Sequence, residues 1–286
     1  MEAFHPIFIS PLTYAEVSNK HKIKELNMLD QLFSMQGKVC VVTGGSRGLG
    51  FYMAKGFLSA GAKRVYITAR KAKACLSAAQ ELSEFGDCVA LPGDISSLIE
   101  IDSLVAQLSE RESSVDVLVN NAGTGWLADI EEFPEIGWDR VMDLNVKSPF
   151  FLTKAMLPLL SSGASADNTA SVINIGSIAG ICGETDTFSY APSKAAIHQL
   201  TRNLAVKLSD NHIRVNAIAP GRFFSKMTEY ASQDKAQYEA EIAVIPLHRW
   251  GEESDISGVA IMLSSRAGAF ITGQIIPIDG GTSLVR

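Results

Sequence analysis

The chain has 286 residues and a net charge of -6, from 25 basic and 31 acidic residues. This length allows one large α/β domain or two small domains, and the charge argues against the strongly basic surface typical of nucleic-acid-binding proteins. The four cysteines are scattered without a CxxC pair, which disfavours a zinc site or a disulfide framework and indicates a reducing compartment, the cytoplasm.

Residues 1–36 differ in composition from the rest of the chain. They lack the basic start and apolar centre of a secretion signal, and they contain no arginine, which disfavours a mitochondrial address. We interpret them as an N-terminal appendage, with a short helix near 15–33, that packs on the domain or on a neighbouring subunit; an over-long start-codon assignment is the alternative. No apolar run in the sequence approaches the roughly 20 residues that span a bilayer, so we expect no membrane span.

From residue 37 onward, short apolar runs alternate with stretches of helical periodicity. Runs that are apolar on both faces indicate strands covered on both sides, which is typical of a parallel sheet with right-handed crossovers. No repeat or low-complexity linker divides residues 37–286. We therefore predict one α/β domain, a doubly wound parallel sheet of the Rossmann type with helices on both faces. Its predicted strands are 38–44, 64–69, 88–93, 115–121, 170–177, 213–220 and 274–280.

A glycine-rich turn, TGGSRGLG, directly follows the first predicted strand. Glycine lets the backbone turn tightly and lets a pyrophosphate approach the N-terminus of the next helix, where free N–H groups and the dipole favour anions. The spacing is GxxxGxG, and its place in a βαβ unit favours dinucleotide binding over an ordinary turn. The predicted contacts are Gly44, Ser46, Arg47, Gly48, Leu49 and Gly50.

The end of the second predicted strand indicates which dinucleotide is bound. An acidic residue there usually holds a free ribose 2′-OH, but this strand ends in TARK, with Arg70 in that region and Arg47 in the glycine turn. Two guanidinium groups suit a 2′-phosphate, because they offer planar forks of donors and fixed positive charge. We therefore expect NADP(H) as the cofactor; the alternative is that Arg70 is a solvated charge.

The segment YAPSK places a phenol, Tyr190, four residues before an amine, Lys194, at the start of a predicted helix. At this spacing both side chains project from one face of the helix. The motif alone is also compatible with a surface helix that carries a half-buried tyrosine and a solvated lysine. The other motifs of the chain decide between these interpretations.

Taken together, TGGSRGLG, NNAG at 120–123, NIGS at 174–177 and YAPSK resemble the short-chain dehydrogenase/reductase family in order and spacing. The resemblance extends from about residue 37 to the C-terminus. It implies a nicotinamide cofactor and a catalytic tetrad of Asn145, Ser177, Tyr190 and Lys194. In such a tetrad the tyrosine donates a proton to a carbonyl oxygen that the serine orients. The lysine charge stabilises the phenolate and its amine holds the ribose, while Asn145 supports a helix distortion and a water route from Lys194 to solvent.

The same resemblance implies further contacts with the cofactor and the substrate. Trp126 and Phe188, together with Phe223, Phe224 and Met227, are predicted to form an apolar pocket mouth, with a lid at about 223–250; the alternative is that half of these side chains are ordinary core or lid-packing residues. Ser225 stands where the family usually has a threonine that meets the carboxamide, and it keeps the hydroxyl. The further cofactor positions are Asp94, Ile95, Asn121, Ala122, Gly123, Pro220, Gly221, Phe223 and Ser225.

Within the family, APGRFFSKMT, IPLHRWG and IIPIDGG resemble the 3-oxoacyl (beta-ketoacyl) reductase branch, in particular its subgroup named for rhamnolipid biosynthesis. This favours NADPH-dependent reduction of a 3-oxoacyl thioester or a related hydrophobic ketone. The alternatives are an alcohol, steroid or sugar (polyol) dehydrogenase and, more remotely, a nucleotide-sensing protein without catalysis. The resemblance also implies a homotetramer or a homodimer. None of the five histidines has a partner at metal spacing, and we interpret His198 as a packing or interface residue rather than a base.

Overall fold

Seven parallel strands form a single sheet in a computed structural model that describes residues 28–183, 185–224 and 234–285. The strands follow the order β3-β2-β1-β4-β5-β6-β7. All seven predicted strands are found, and mostly apolar runs such as Val39–Thr43 are buried along their whole length. The strands are β1 Val39–Thr43, β2 Arg64–Thr68, β3 Cys88–Ala90, β4 Val117–Asn120, β5 Ala170–Ile175, β6 Ile213–Pro220 and β7 Ile275–Ile278.

Helices cover both faces of this sheet, as the doubly wound prediction requires. One layer contains α1, α2 and α8 and packs through side chains such as Phe57 and Leu82. The other contains α3, α5 and α6 and packs through Leu104 and Met156. Among the described helices, none has the length and apolar character needed to cross a bilayer. The helices are α1 Gly48–Ser59, α2 Ala72–Leu82, α3 Leu98–Ser109, α4 Glu135–Met142, α5 Ser148–Ser162, α6 Tyr190–Leu208, α7 Lys235–Ala243 and α8 Glu253–Ser264.

The strand order reverses between β1 and β4, which are neighbours in the sheet although β2 and β3 separate them in the chain. In open parallel sheets of this kind, ligands bind beyond the carboxyl ends of the strands at such a reversal. The glycine-rich turn leaves β1 at this point and the NNAG segment leaves β4 there. The fold therefore brings two of the predicted motifs to one crevice.

The N-terminal appendage is described only from residue 28. Residues 28–33 are helical, and Met35 is fully buried, with its amide donating to the Ala60 carbonyl over 3.0 Å. This part of the appendage packs on the domain. The remainder of the predicted helix near 15–33 lies outside the described residues, and the boundary at residue 36 stays a prediction.

Candidate active site

The glycine-rich turn forms a tight passage between β1 and α1. Gly44 and Gly48 have φ values of 67° and 56°, a region that favours glycine. A Cβ on Gly50 would clash with the Asn121 side chain and would lie 2.5 Å from the Gly44 carbonyl oxygen. The first turn of α1 contains no acidic residue, so its exposed N–H groups and dipole favour an anion. These features fit the pyrophosphate of a dinucleotide.

Side chains from β1 and β4 hold this turn in place. Asn121 Nδ2 donates to the carbonyl oxygens of Thr43 and Gly44, over 2.8 and 3.2 Å. Thr43 Oγ1 accepts from the amides of Asn121 and Ala122, over 2.9 and 3.0 Å. The Asn121 side chain thus stabilises the turn. The role of Thr43 was not predicted, although a threonine that ends a buried strand is a recognisable signal.

Two guanidinium groups lie exposed beyond the carboxyl ends of the first strands. Arg47 is the N-cap residue of α1 and has no side-chain cap hydrogen bond. Arg70 follows β2, and its Nη1 lies 3.9 Å from Asp94 Oδ2. Both partners of this pair are exposed, so the pair contributes little to stability and leaves Arg70 accessible to an anionic ligand. The proximity of Asp94 was not predicted, because it depends on how β2 and β3 align.

Asn145 lies in a π-helical turn, Asp143–Lys147, between α4 and α5. Its Oδ1 accepts from the Thr124 amide and its Nδ2 donates to the Thr124 carbonyl, both over 2.9 Å. The same Nδ2 donates to Ser193 Oγ over 3.0 Å, and that hydroxyl donates to the Tyr190 carbonyl over 2.6 Å. One buried amide thus links the NNAG segment to the first turn of α6. Sequence reasoning identified Asn145 but missed Thr124 and Ser193.

Lys194 and Tyr190 lie together on one side of α6. Lys194 Nζ is 5.5 Å from the centroid of the Tyr190 ring and donates to the Ile175 carbonyl at the end of β5 over 2.8 Å. The lysine is 5% exposed, and this burial lowers its pKa to about 8. The amine is therefore still charged at neutral pH, in surroundings where its charge acts strongly on a neighbouring phenol.

Ser177 follows β5, and its Oγ accepts from the Ala179 amide over 3.1 Å. Helix α6 packs closely against the turn that carries this serine. A Cβ on Gly180 would lie 2.6 Å from the Lys194 carbonyl carbon, and one on Gly176 would clash with His198 Nε2. His198 is 3% exposed, and burial lowers its pKa to about 4, so it is neutral and packs as predicted.

Aromatic side chains lie beside the tetrad. A Cβ on Gly125 would lie 3.6 Å from Tyr190 Cδ2, and the Phe133 and Phe188 rings make an edge contact at 6.0 Å. Trp126 packs on Gly137, where a Cβ would lie 2.7 Å from the indole ring. Trp126 and Phe188 are both half-buried.

Phe223 and Phe224 directly precede residues 225–233, which lie outside the described residues, and their place at the pocket mouth stays a prediction. Phe223 is 4% exposed, and its ring packs in the core against Gly251, which has no side chain. Phe224 is 39% exposed. The centroid of its ring lies 4.8 Å from that of Trp250 and 6.1 Å from that of Tyr238. Ser225 and Met227 lie outside the described residues.

The remaining predicted positions lie at the carboxyl edge of the sheet. Pro220 ends β6, and the Gly221 amide donates to the Ile278 carbonyl over 3.1 Å. Ile95 is buried, and its carbonyl accepts from the Ser148 hydroxyl. In the part of the chain that the structure describes, no group of three or more His, Cys, Asp or Glu residues is arranged to hold a metal ion.

Comparisons with known proteins agree with this geometry. A family model described as enoyl-(acyl carrier protein) reductase matches residues 44–283. The chain is 51% identical over 253 residues to a rhamnolipids biosynthesis 3-oxoacyl-[acyl-carrier-protein] reductase of Pseudomonas aeruginosa, covering 88% of this chain and 98% of that protein. It is 34% identical over 256 residues to a 5-keto-D-gluconate 5-reductase of Escherichia coli, covering 88% and 98%.

A solved structure, the Pseudomonas aeruginosa RhlG/NADP active-site complex, matches with a TM-score of 0.86 and 50% sequence identity. The match covers 88% of this chain and 99% of that chain. The likeness therefore extends over nearly the whole of the described domain.

Proposed function

Because the chain belongs to the short-chain dehydrogenase/reductase family, we propose that it reduces the 3-oxo group of an acyl thioester, or a related hydrophobic ketone, with NADPH. The observation that carries this proposal is the position of the buried Lys194 amine 5.5 Å from the Tyr190 ring. The name of the Pseudomonas aeruginosa relative supports the acyl substrate, and the NADP in the matching structure supports the cofactor.

The chain offers a separate contact for each part of such a cofactor. The glycine-rich turn would hold the pyrophosphate, and Arg47 and Arg70 would hold the 2′-phosphate. A lysine ammonium has three N–H donors, and Ile175 takes one of those of Lys194. The others would hold the hydroxyls of the nicotinamide ribose.

When bound, the nicotinamide supplies the hydride that reduces the carbonyl carbon. Tyr190 donates its phenolic proton to the carbonyl oxygen, and the charge of Lys194 stabilises the phenolate that remains. Ser177 donates a hydrogen bond to the same oxygen, and a preorganised donor of this kind contributes on the order of 3 kcal/mol. Asn145 acts through Thr124 and Ser193, which fix the start of α6 relative to the NNAG segment.

A sugar dehydrogenase is the second candidate, since a gluconate reductase is 34% identical to the chain. The edge-to-face contact of Phe133 with Phe188, two residues before Tyr190, supports the hydrophobic substrate over a polyol, because a polyol would leave its hydroxyls without partners on an aromatic surface. We therefore retain the acyl substrate as the primary proposal.

We further propose that the protein acts as a homo-oligomer, a dimer or a tetramer, in the cytoplasm. Val206 on α6 and Phe270 after α8 are 80% and 104% exposed, and burying such side chains favours association. The free thiols of Cys88 and Cys182 suit a reducing compartment. Light scattering of the purified protein tests the assembly, and a monomer at micromolar concentration contradicts it.

A substrate screen tests the proposed activity. Purified protein is assayed with 3-oxoacyl thioesters and oxosteroids in the presence of NADPH or NADH, and with polyols in the presence of NADP+ or NAD+, by following the absorbance of the reduced nicotinamide. We expect turnover of the 3-oxoacyl thioesters with NADPH and its loss in a Tyr190→Phe variant that still binds NADPH. Exclusive turnover of a polyol with NAD overturns the proposal, and retained turnover in the variant contradicts the role of Tyr190.

A further inference from the structure

The loop and helix that follow Thr124 carry an excess of negative charge. We use the name entrance rim for residues 126–140 together with Asp186. The entrance rim has six carboxylates and one cation, Arg140, whereas the rest of the chain has 24 basic and 25 acidic residues. Most of the net charge of -6 is therefore concentrated there. The rim carboxylates are Asp129, Glu131, Glu132, Glu135, Asp139 and Asp186.

The entrance rim adjoins the catalytic tyrosine. Gly125, which immediately precedes it, packs on the Tyr190 ring, and Phe133 within it contacts Phe188, two residues before Tyr190. Asp129 is four residues from Gly125, so their Cα atoms are at most about 14 Å apart. This lies within the Debye length of about 30 Å at 0.01 M salt, so at low ionic strength the charge of Asp129 reaches a substrate that approaches Tyr190.

The rim carboxylates lie in solvent, without ion pairs to the part of the chain that the structure describes. All six are exposed, and none of them forms an ion pair with another residue that the structure describes. Apolar side chains alternate with them on the same segment. Leu127, Ile130 and Ile136 are 73%, 66% and 70% exposed. The entrance rim thus combines an apolar surface with uncompensated negative charge.

From this combination we infer that the active site selects an uncharged apolar 3-oxoacyl compound and disfavours the same acyl group on a polyanionic carrier. The inference rests on the proposed function and specifies the substrate class of that site. An acyl chain gains from contact with the apolar rim side chains. The phosphates of coenzyme A, or an acidic carrier protein, meet like charge at the entrance, which lowers the rate of association.

Two thioesters with the same acyl chain test the inference. One carries N-acetylcysteamine, which is uncharged, and the other carries coenzyme A. At saturating NADPH, kcat/KM for each is measured from about 10 mM salt, where the Debye length is about 30 Å, to about 0.15 M, where it is about 8 Å. We expect kcat/KM for the coenzyme A thioester to rise with salt, on the order of tenfold, while the value for the uncharged thioester stays constant.

A charge-neutralised variant provides the second arm of the test. The variant Glu131→Gln/Glu132→Gln/Glu135→Gln/Asp139→Asn should raise kcat/KM for the coenzyme A thioester at low salt, on the order of tenfold, and leave the uncharged thioester unchanged. A matched control neutralises four exposed carboxylates near helix ends at the opposite edge of the sheet, and it should change neither value. The control is Glu81→Gln/Glu84→Gln/Glu110→Gln/Asp210→Asn.

The results separate this inference from the proposed function. If both thioesters are reduced with the same salt dependence, or if the rim variant lowers kcat/KM for the coenzyme A thioester, the inference is wrong and the proposed function stands. If neither thioester is reduced, the proposed function is wrong and the inference falls with it.

Discussion

The catalytic cluster and the entrance rim lie side by side but are built in opposite ways. In the cluster, Asn145 and Lys194 are 2% and 5% exposed, and each of their side chains donates to a backbone carbonyl. On the entrance rim, the carboxylates are exposed and form no ion pair with any residue described. The cluster therefore depends on geometry that a single substitution disturbs, whereas the rim tolerates substitution.

This difference assigns the chemical reaction to the catalytic cluster and the selection of the substrate to the entrance rim. A buried hydrogen-bonded group is costly to change, because its partner is left unsatisfied. An exposed charge changes the field at the entrance without changing the fold. The relatives of the chain include both a 3-oxoacyl reductase and a gluconate reductase, as expected where one fold serves several substrates.

The largest effect is expected at the glycine-rich turn, which is tightly packed like the catalytic cluster. A Cβ on Gly50 would lie 2.5 Å from the Gly44 carbonyl oxygen, so Gly50→Ala must displace backbone at a cost of about 3 kcal/mol. We expect NADPH to bind about 100-fold more weakly, as measured by fluorescence titration. In the control Gly258→Ala, the new Cβ meets nothing within 4 Å. Equal NADPH affinity of the two variants would contradict the claim that close packing at Gly50 shapes the binding site.

Arg70 tests the effect of removing an exposed charge, as opposed to a buried hydrogen-bonded group. Removing a charged hydrogen bond to phosphate costs about 2 kcal/mol, so Arg70→Ala should raise KM for NADPH about 30-fold while leaving KM for NADH and kcat unchanged. Arg111→Ala, at the opposite edge of the sheet, is the matched control. If the Arg70 variant loses affinity for both cofactors equally, Arg70 does not recognise the 2′-phosphate.

Ser193 tests whether the buried cluster works as a connected unit. Ser193→Ala leaves Asn145 Nδ2 without one of its acceptors, at a cost of about 1.4 kcal/mol. We expect kcat to fall about tenfold with KM for NADPH unchanged. Ser83→Ala removes a similar hydroxyl-to-carbonyl bond, of 2.7 Å, far from the site, and should leave kcat unaffected. An unchanged kcat in Ser193→Ala would rule out its positioning role.

The smallest effect concerns stability in mild acid. Burial lowers the pKa of His198 from 6.5 to about 4, so the unfolded chain binds a proton that the folded chain excludes between these values. The contribution of His198 to the free energy of unfolding is therefore fully present above pH 6.5 and is lost as the pH falls toward 4. One pH unit below 6.5 the loss is about 1 kcal/mol. In His198→Leu this part of the pH dependence should vanish from denaturant unfolding curves; an unchanged dependence would contradict burial of a neutral imidazole.

Local patterns account for what the sequence could predict. The seven strands follow from short, mostly apolar runs, and the shared face of Tyr190 and Lys194 follows from helical spacing. Contacts between positions that are distant in the chain could not be predicted from the sequence, because they depend on how the helices and strands pack. Ser193 and Asn145 are 48 residues apart. The sequence leaves open whether Phe223 faces a pocket or the core, because an aromatic residue after a strand has the same local pattern in both places.

A double-mutant cycle tests the central claim, that Tyr190 and Lys194 act as one proton-donating unit. Tyr190→Phe, Lys194→Met and the double variant are compared by single-turnover rate at saturating NADPH, with binding verified by titration. Each single change should lower the rate about 1000-fold, and the double variant should lose little more than either one. If the two losses multiply in the double variant, the residues act independently and the account is wrong.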